Sequence, residues 1–142
     1  MGAVMRIPAG FEPFQTRAGF VIGCGGFFLH REQPILAMRV GAEHLNSVQI
    51  AHGGLLATLA DCAFGAILWR QLDTPTPPIT VNLNVDYLGA VREGDWLEAH
   101  VEVEKNGASF INASCRLKVG ERLVLRANGI FTRWKGAPQP TA

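Results

Sequence analysis

Two periods of hydrophobic pattern divide the chain. From Gly53 to Leu72 the residues are apolar in nearly every direction around a helix. A helix apolar all round is a buried one. Arg70 near its end suits the negative pole of the helix dipole. Asp73-Thr74-Pro75-Thr76-Pro77-Pro78 then forbids both helix and central strand. Beyond that loop the period falls to two, the mark of half-buried strands. Four are expected, at Thr80–Leu88, Trp96–Lys105, Ser109–Val119 and Arg122–Trp134. In the first, Val81, Leu83, Val85 and Tyr87 share the inward face, and Asn82, Asn84 and Asp86 the outer one. In the last, Leu123, Leu125, Ala127, Gly129 and Phe131 form the inward set. Arg92-Glu93-Gly94-Asp95, Asn106-Gly107 and Gly120-Glu121 are turns between neighbours, so the strands run antiparallel.

Ahead of the helix the pattern is shorter. Phe20-Val21-Ile22, Phe27-Phe28-Leu29 and Ile35–Val40 favour strands, the second and third as a hairpin. Residues 1–17, broken by Pro8, Gly10 and Pro13, read as an N-terminal arm, and 135–142 as a flexible tail. Gly41–Ala51 reads as a loop with a helical turn at Ala42–Leu45. The whole, 1–142, is expected to be one α+β domain, a curved antiparallel sheet wrapped around one long central helix. Any helix surface and strand edge left uncovered call for a second copy of the chain.

Composition narrows the classes. The net charge is +1 with Lys and Arg dispersed, which argues against a nucleic-acid partner. The apolar helix is shorter than a bilayer needs and carries an Asp, so it reads as a core element, with no membrane partner. Cys24, Cys62 and Cys115 are odd in number and far apart, which suits reduced thiols in a cytoplasmic protein rather than disulfides or zinc. No signal-peptide pattern is present.

The candidate chemistry lies at the helix. Asp61 is its only Asp, Glu, Lys, Arg or His between His52 and Arg70. A carboxylate on a buried helix is costly without a use or a partner. Its functional reading is a base toward water or a nucleophile; its plain reading is a structural hydrogen bond. Gly53 and Gly54 start the helix, where the first N–H groups lack internal partners and favour negative charge. A carbonyl oxygen at the Gly53 N–H would be polarised and its oxyanion held; otherwise these glycines only permit a tight turn. Eight residues of helix separate Gly53 from Asp61, about 12 Å, so each site should draw them from different subunits. A metal site on His44, His52 and Asp61, and a triad of Ser47, His52 and Asp61, both fail on that distance.

Asn46, then His52-Gly53-Gly54 six residues on, then Asp61 nine after His52, resembles the signature of hotdog-fold acyl-CoA thioesterases of the phenylacetate-degradation type. Ile79–Leu88 and Gly94-Asp95-Trp96-Leu97 also match that family's pattern, and the resemblance spans about Ile35 to Phe131. It implies a hotdog fold, dimers with a continuous sheet often paired into tetramers, interface active sites, and no metal or organic cofactor. It implies roles for Asn46 and His52 at the thioester carbonyl and for Thr80 at the attacking water. Gly54, Val81, Asn82 and Gly107 are the expected substrate-binding positions. The plain readings are a turn-forming Asn46, a His52 that only fixes the helix start, and a Thr80 packed as in any strand. Two departures, Gly89-Ala90 and Gly107-Ala108, fall where relatives carry basic residues near the pantetheine arm or nucleotide. The implied activity is hydrolysis of a medium-chain or aromatic acyl-CoA. The alternatives are a non-catalytic acyl-CoA-binding module and an acyl-thioester hydratase or dehydratase.

Overall fold

The computed structural model describes residues 6–72 and 74–133. In chain order the elements are β1 (Phe11–Pro13), α1 (Gly19–Gly23), β2 (Phe28–His30), β3 (Ile35–Arg39), a 3-10 turn (Ala42–His44), α2 (Gly53–Leu72), β4 (Ile79–Tyr87), β5 (Trp96–Asn106), β6 (Phe110–Val119) and β7 (Arg122–Thr132). All seven strands form one antiparallel sheet in the order β1-β2-β3-β5-β6-β7-β4. The expected tail, 135–142, the strand end at Trp134 and the first residues of the arm lie outside the described residues.

α2 packs against β3 to β7. Leu56, Leu59, Ala60, Ala63, Phe64, Ile67 and Leu68 point into the sheet and are buried. They meet Met38, Leu97, Ile111, Cys115, Leu117, Leu125 and Phe131, with the Phe64 and Phe131 rings 4.9 Å apart. The antiparallel sheet and single long helix are those expected. The helix is not buried all round, however. A single-layer sheet covers one side, and Gly54, Thr58, Asp61, Cys62, Gly65 and Trp69 on the other are not fully buried. At 20 residues α2 is long and apolar enough to cross a bilayer. Its packing against the sheet, rather than its length, marks it as a core helix.

Phe20-Val21-Ile22 is helical (α1) and not a strand; the Ile22 N–H donates to Ala18 O at 3.0 Å, and Phe20 and Ile22 are exposed. The place beside β2 is taken instead by Phe11–Pro13 from the arm, paired Phe11 to His30. Strand propensity without a free sheet edge yields no strand. Pro13 is tolerated because β1 is an edge. Phe11, Ile35 and Ala37 form a second small core on the opposite face, closed by Phe28 and Trp96.

Three register shifts alter the expected alternation, one of them in the β5–β6 pair at Glu104. The β4–β7 register passes from Thr80 opposite Phe131 to Asn82 opposite Ile130, leaving Val81 extra. The β6–β7 register skips Val124, which is buried, while Leu123 is only partly so.

Candidate active site

Asp61 leaves the uncovered side of α2 near its middle and is half-buried. Its Oδ1 accepts a hydrogen bond from the Thr80 hydroxyl at 2.7 Å. Strict alternation from Leu83 would aim Thr80 outward with Asn82. The bulge at Val81 reverses the phase, so Thr80 shares the inner face with its partner Phe131. One extra residue in β4 thus delivers a hydroxyl to the carboxylate.

The neighbouring thiol is no rival nucleophile. Burial, and then the Asp61 charge, push the Cys62 thiol from 9.0 up to about 12, and burial does the same to Cys115. Both stay protonated at neutral pH, and the thiol is a far weaker nucleophile than the thiolate. We expect Cys62→Ala to retain most of the activity that depends on Asp61. These two thiols also make the fold alkali-sensitive. Between about 9 and 12 the unfolded chain sheds protons that the folded one keeps. Stability present below pH 9.0 is therefore lost as pH rises, by up to about 1.4 kcal/mol per pH unit for each thiol. Urea unfolding from pH 8 to 11 should show this slope, and Cys115→Ala should flatten it.

At the helix start, His52 acts as the cap. Its Nδ1 accepts the Gly54 N–H at 2.9 Å, which places the ring proton on Nε2. The Gly54 N–H is thereby used, while the Gly53 N–H has no acceptor among the described residues. The Gly53 carbonyl accepts the Tyr87 hydroxyl at 2.7 Å. The Tyr87 ring lies 3.3 Å from where a Cβ on residue 53 would sit, so a larger residue there would push the ring outward. Asn46 Oδ1 accepts from the Val48 N–H at 3.0 Å and the Ile50 N–H at 3.3 Å. These bonds support a loop in which Gln49 adopts a φ of 66°, a conformation that L residues rarely take. The turn-forming reading of Asn46 is therefore realised by its oxygen, and its Nδ2 remains a donor without a partner among the described residues.

Asn46, Gly53 and Tyr87 line one groove of about 330 Å³ together with Leu56, Gly89 and Val91. His52 and Gly54 line another, of about 530 Å³, with Phe20, His44, Leu45 and Thr58. The buried His44 ring is held by the Gly41 N–H at Nδ1 and by Cys24 O at Nε2. The structure thus groups Asp61 with Thr80, Asn46 with Gly53, and His52 with Gly54. Val81 is exposed at the bulge, and Asn82 Oδ1 accepts from Asn84 Nδ2 at 2.5 Å. Gly107 sits in the β5–β6 turn, its N–H on Phe110 O. Tyr87, the chain's single tyrosine, was legible only as an inward strand residue. Its signal was a lone aromatic hydroxyl at the end of the inward set. Removing that hydroxyl with Tyr87→Phe should lower thermal stability by about 1 kcal/mol and lower kcat with it.

The family model for the thioesterase superfamily matches residues 48–126, from the loop after Asn46 into β7. The chain belongs to the thioesterase superfamily. A Pseudomonas aeruginosa protein, whose name gives it only as a candidate esterase, is 40% identical to this thioesterase over 90% of the chain and 98% of its own length. Acyl-coenzyme A thioesterase 13 of Mus musculus is 28% identical, over 74% of each chain. A Thermus thermophilus phenylacetic acid degradation protein superposes with a TM-score of 0.69 at 26% identity, over 81% of this chain and 98% of its own. The hotdog fold and the acyl-CoA thioesterase resemblance both stand, and the enzyme is a thioester hydrolase.

Proposed function

We propose that this thioesterase hydrolyses acyl-CoA, with a medium-chain or aromatic acyl group, at composite sites shared between two copies of the chain. The observation that carries this reading is the Asp61–Thr80 pair, open on the uncovered side of α2. The Gly53 N–H, without an acceptor among the described residues, lies eight residues back along the same helix, about 12 Å away. One thioester carbonyl cannot span both within one chain. The β4 edge supports a second copy: nine residues long, with Ile79, Val81 and Tyr87 exposed and followed by exposed Leu88. Such an edge pairs with another strand unless it is blocked.

In the proposed step, a water held by the Thr80 hydroxyl and Asp61 Oδ2 attacks the thioester carbon, and its proton passes to Asp61. The carbonyl electrons move to oxygen, held by the N–H of Gly53 of the partner subunit. Collapse breaks the C–S bond, and the Asp61 proton passes to sulfur, giving the acid and the CoA thiol. Asn46 Nδ2 and His52 Nε2–H are the remaining donors near the carbonyl and the leaving sulfur. No cofactor takes part, and the cytoplasm is the compartment in which both acyl-CoA and reduced thiols are at hand. The acyl-CoA thioesterase relative supports the substrate class. The test is thiol release from a panel of acyl-CoAs. A single turnover in ¹⁸O-water should label the acid at once; label retained in Asp61 would point to a nucleophile instead. CoA binding with no turnover on any thioester would favour a binding module.

A further inference from the structure

A groove of about 640 Å³ lies away from the helix start, lined by Phe14, Val21, Cys62, Gly65, Trp69 and Pro77, among others. Gly65 lies one helical turn beyond Asp61 on the same face of α2, so the groove starts about one turn from the Asp61–Thr80 pair, neither member of which lines it. From Cys62 to Trp69 it follows seven residues of helix, about 10 Å. Trp69 stands at the far end. Its indole N–H donates to Thr74 O at 3.0 Å, which sets the plane of the ring. Phe14 of the arm and Val21 of α1 complete the lining.

Gly65 is the informative position on the floor. Glycine inside a helix is less stable than alanine. Outside its own helix backbone, no heavy atom of the described residues lies within 4 Å of where its Cβ would point, so no close approach among them requires it. Its missing side chain is open cavity about one turn from the proposed reacting centre.

We propose that this cavity takes a straight medium-chain acyl group, with its thioester at Asp61, its chain over Gly65 and its end against Trp69. The inference rests on the thioesterase reading above and makes Gly65 and Trp69 the length-determining residues. Apart from Gln15, Thr16 and Arg17 the lining is apolar, and its length along α2 suits an alkyl chain, whereas a single aromatic ring leaves the Trp69 end empty.

The experiment measures kcat/KM for butanoyl-, octanoyl-, dodecanoyl- and phenylacetyl-CoA, with size-exclusion and thermal unfolding as checks on fold. Gly65→Leu should depress octanoyl-CoA turnover about tenfold more than butanoyl-CoA turnover, because the new side chain fills the slot. Gly65→Ala should act in the same direction and more weakly. Trp69→Ala should move the optimum toward dodecanoyl-CoA. An equal loss at every length, a shift in oligomeric state without a change in profile, or a wild type selective for phenylacetyl-CoA would each overturn the assignment. If wild type hydrolyses acyl-CoA and Asp61→Asn does not, an unchanged length profile removes this inference alone. If wild type releases no thiol from any acyl-CoA, both readings fall.

Discussion

Asp61→Asn lowers kcat/KM for acyl-CoA hydrolysis by about 10²- to 10⁴-fold while the protein remains folded, the loss expected when a general base is removed. The amide preserves shape and can still accept from the Thr80 hydroxyl, which now donates to Oδ1 at 2.7 Å. What it loses is the ability to take a proton from water. The half-buried position argues for little structural cost, because no salt bridge among the described residues uses Asp61. Thiol release, followed beside circular dichroism, is the measurement. Unchanged turnover in a folded variant would leave Asp61 as a structural hydrogen-bond acceptor. Thr80→Val provides a graded comparison: it removes the hydroxyl that orients the carboxylate and the water, and should cost less than Asp61→Asn.

Mixing two inactive variants should restore activity. Gly53→Val blocks the oxyanion end, since even a Cβ there meets the Tyr87 ring at 3.3 Å. Asp61→Asn disables the base end. If each site takes Asp61 from one chain and Gly53 from the other, a mixed dimer carries one intact site and one doubly disabled site. Random re-association of equal amounts then yields about a quarter of wild-type activity from two preparations that each show almost none. A site built within one chain predicts no recovery at all. This result bears directly on the separation along α2, and it needs no knowledge of the natural acyl group.

Much of the fold was legible because burial imposes periods. The β5 and β6 alternations and the span of α2 follow from which residues must leave water. The short elements were less so. Phe20-Val21-Ile22 has strand propensity, but a strand needs a partner, and that place belongs to Phe11–Pro13. Propensity is local, whereas edge occupancy is a property of the assembled sheet. The site divides in the same way. Asp61 stood out as a lone carboxylate on an apolar helix, and Gly53 as the start of that helix. Tyr87 did not stand out, because its partner is a backbone carbonyl, which carries no sequence signal.

The sequence by itself determined that a long apolar helix must lie against an antiparallel sheet, and that one carboxylate and one helix start would stand about 12 Å apart. Those are consequences of periodicity and helical rise, which depend only on residue order. Tertiary structure decided which side of α2 stays open, because that depends on where the sheet lies. It also decided that Thr80 reaches Asp61, because a single bulged residue, Val81, reverses which face every earlier residue of β4 presents. Bulges are set by pairing with β7, and pairing exists only once the chain has folded.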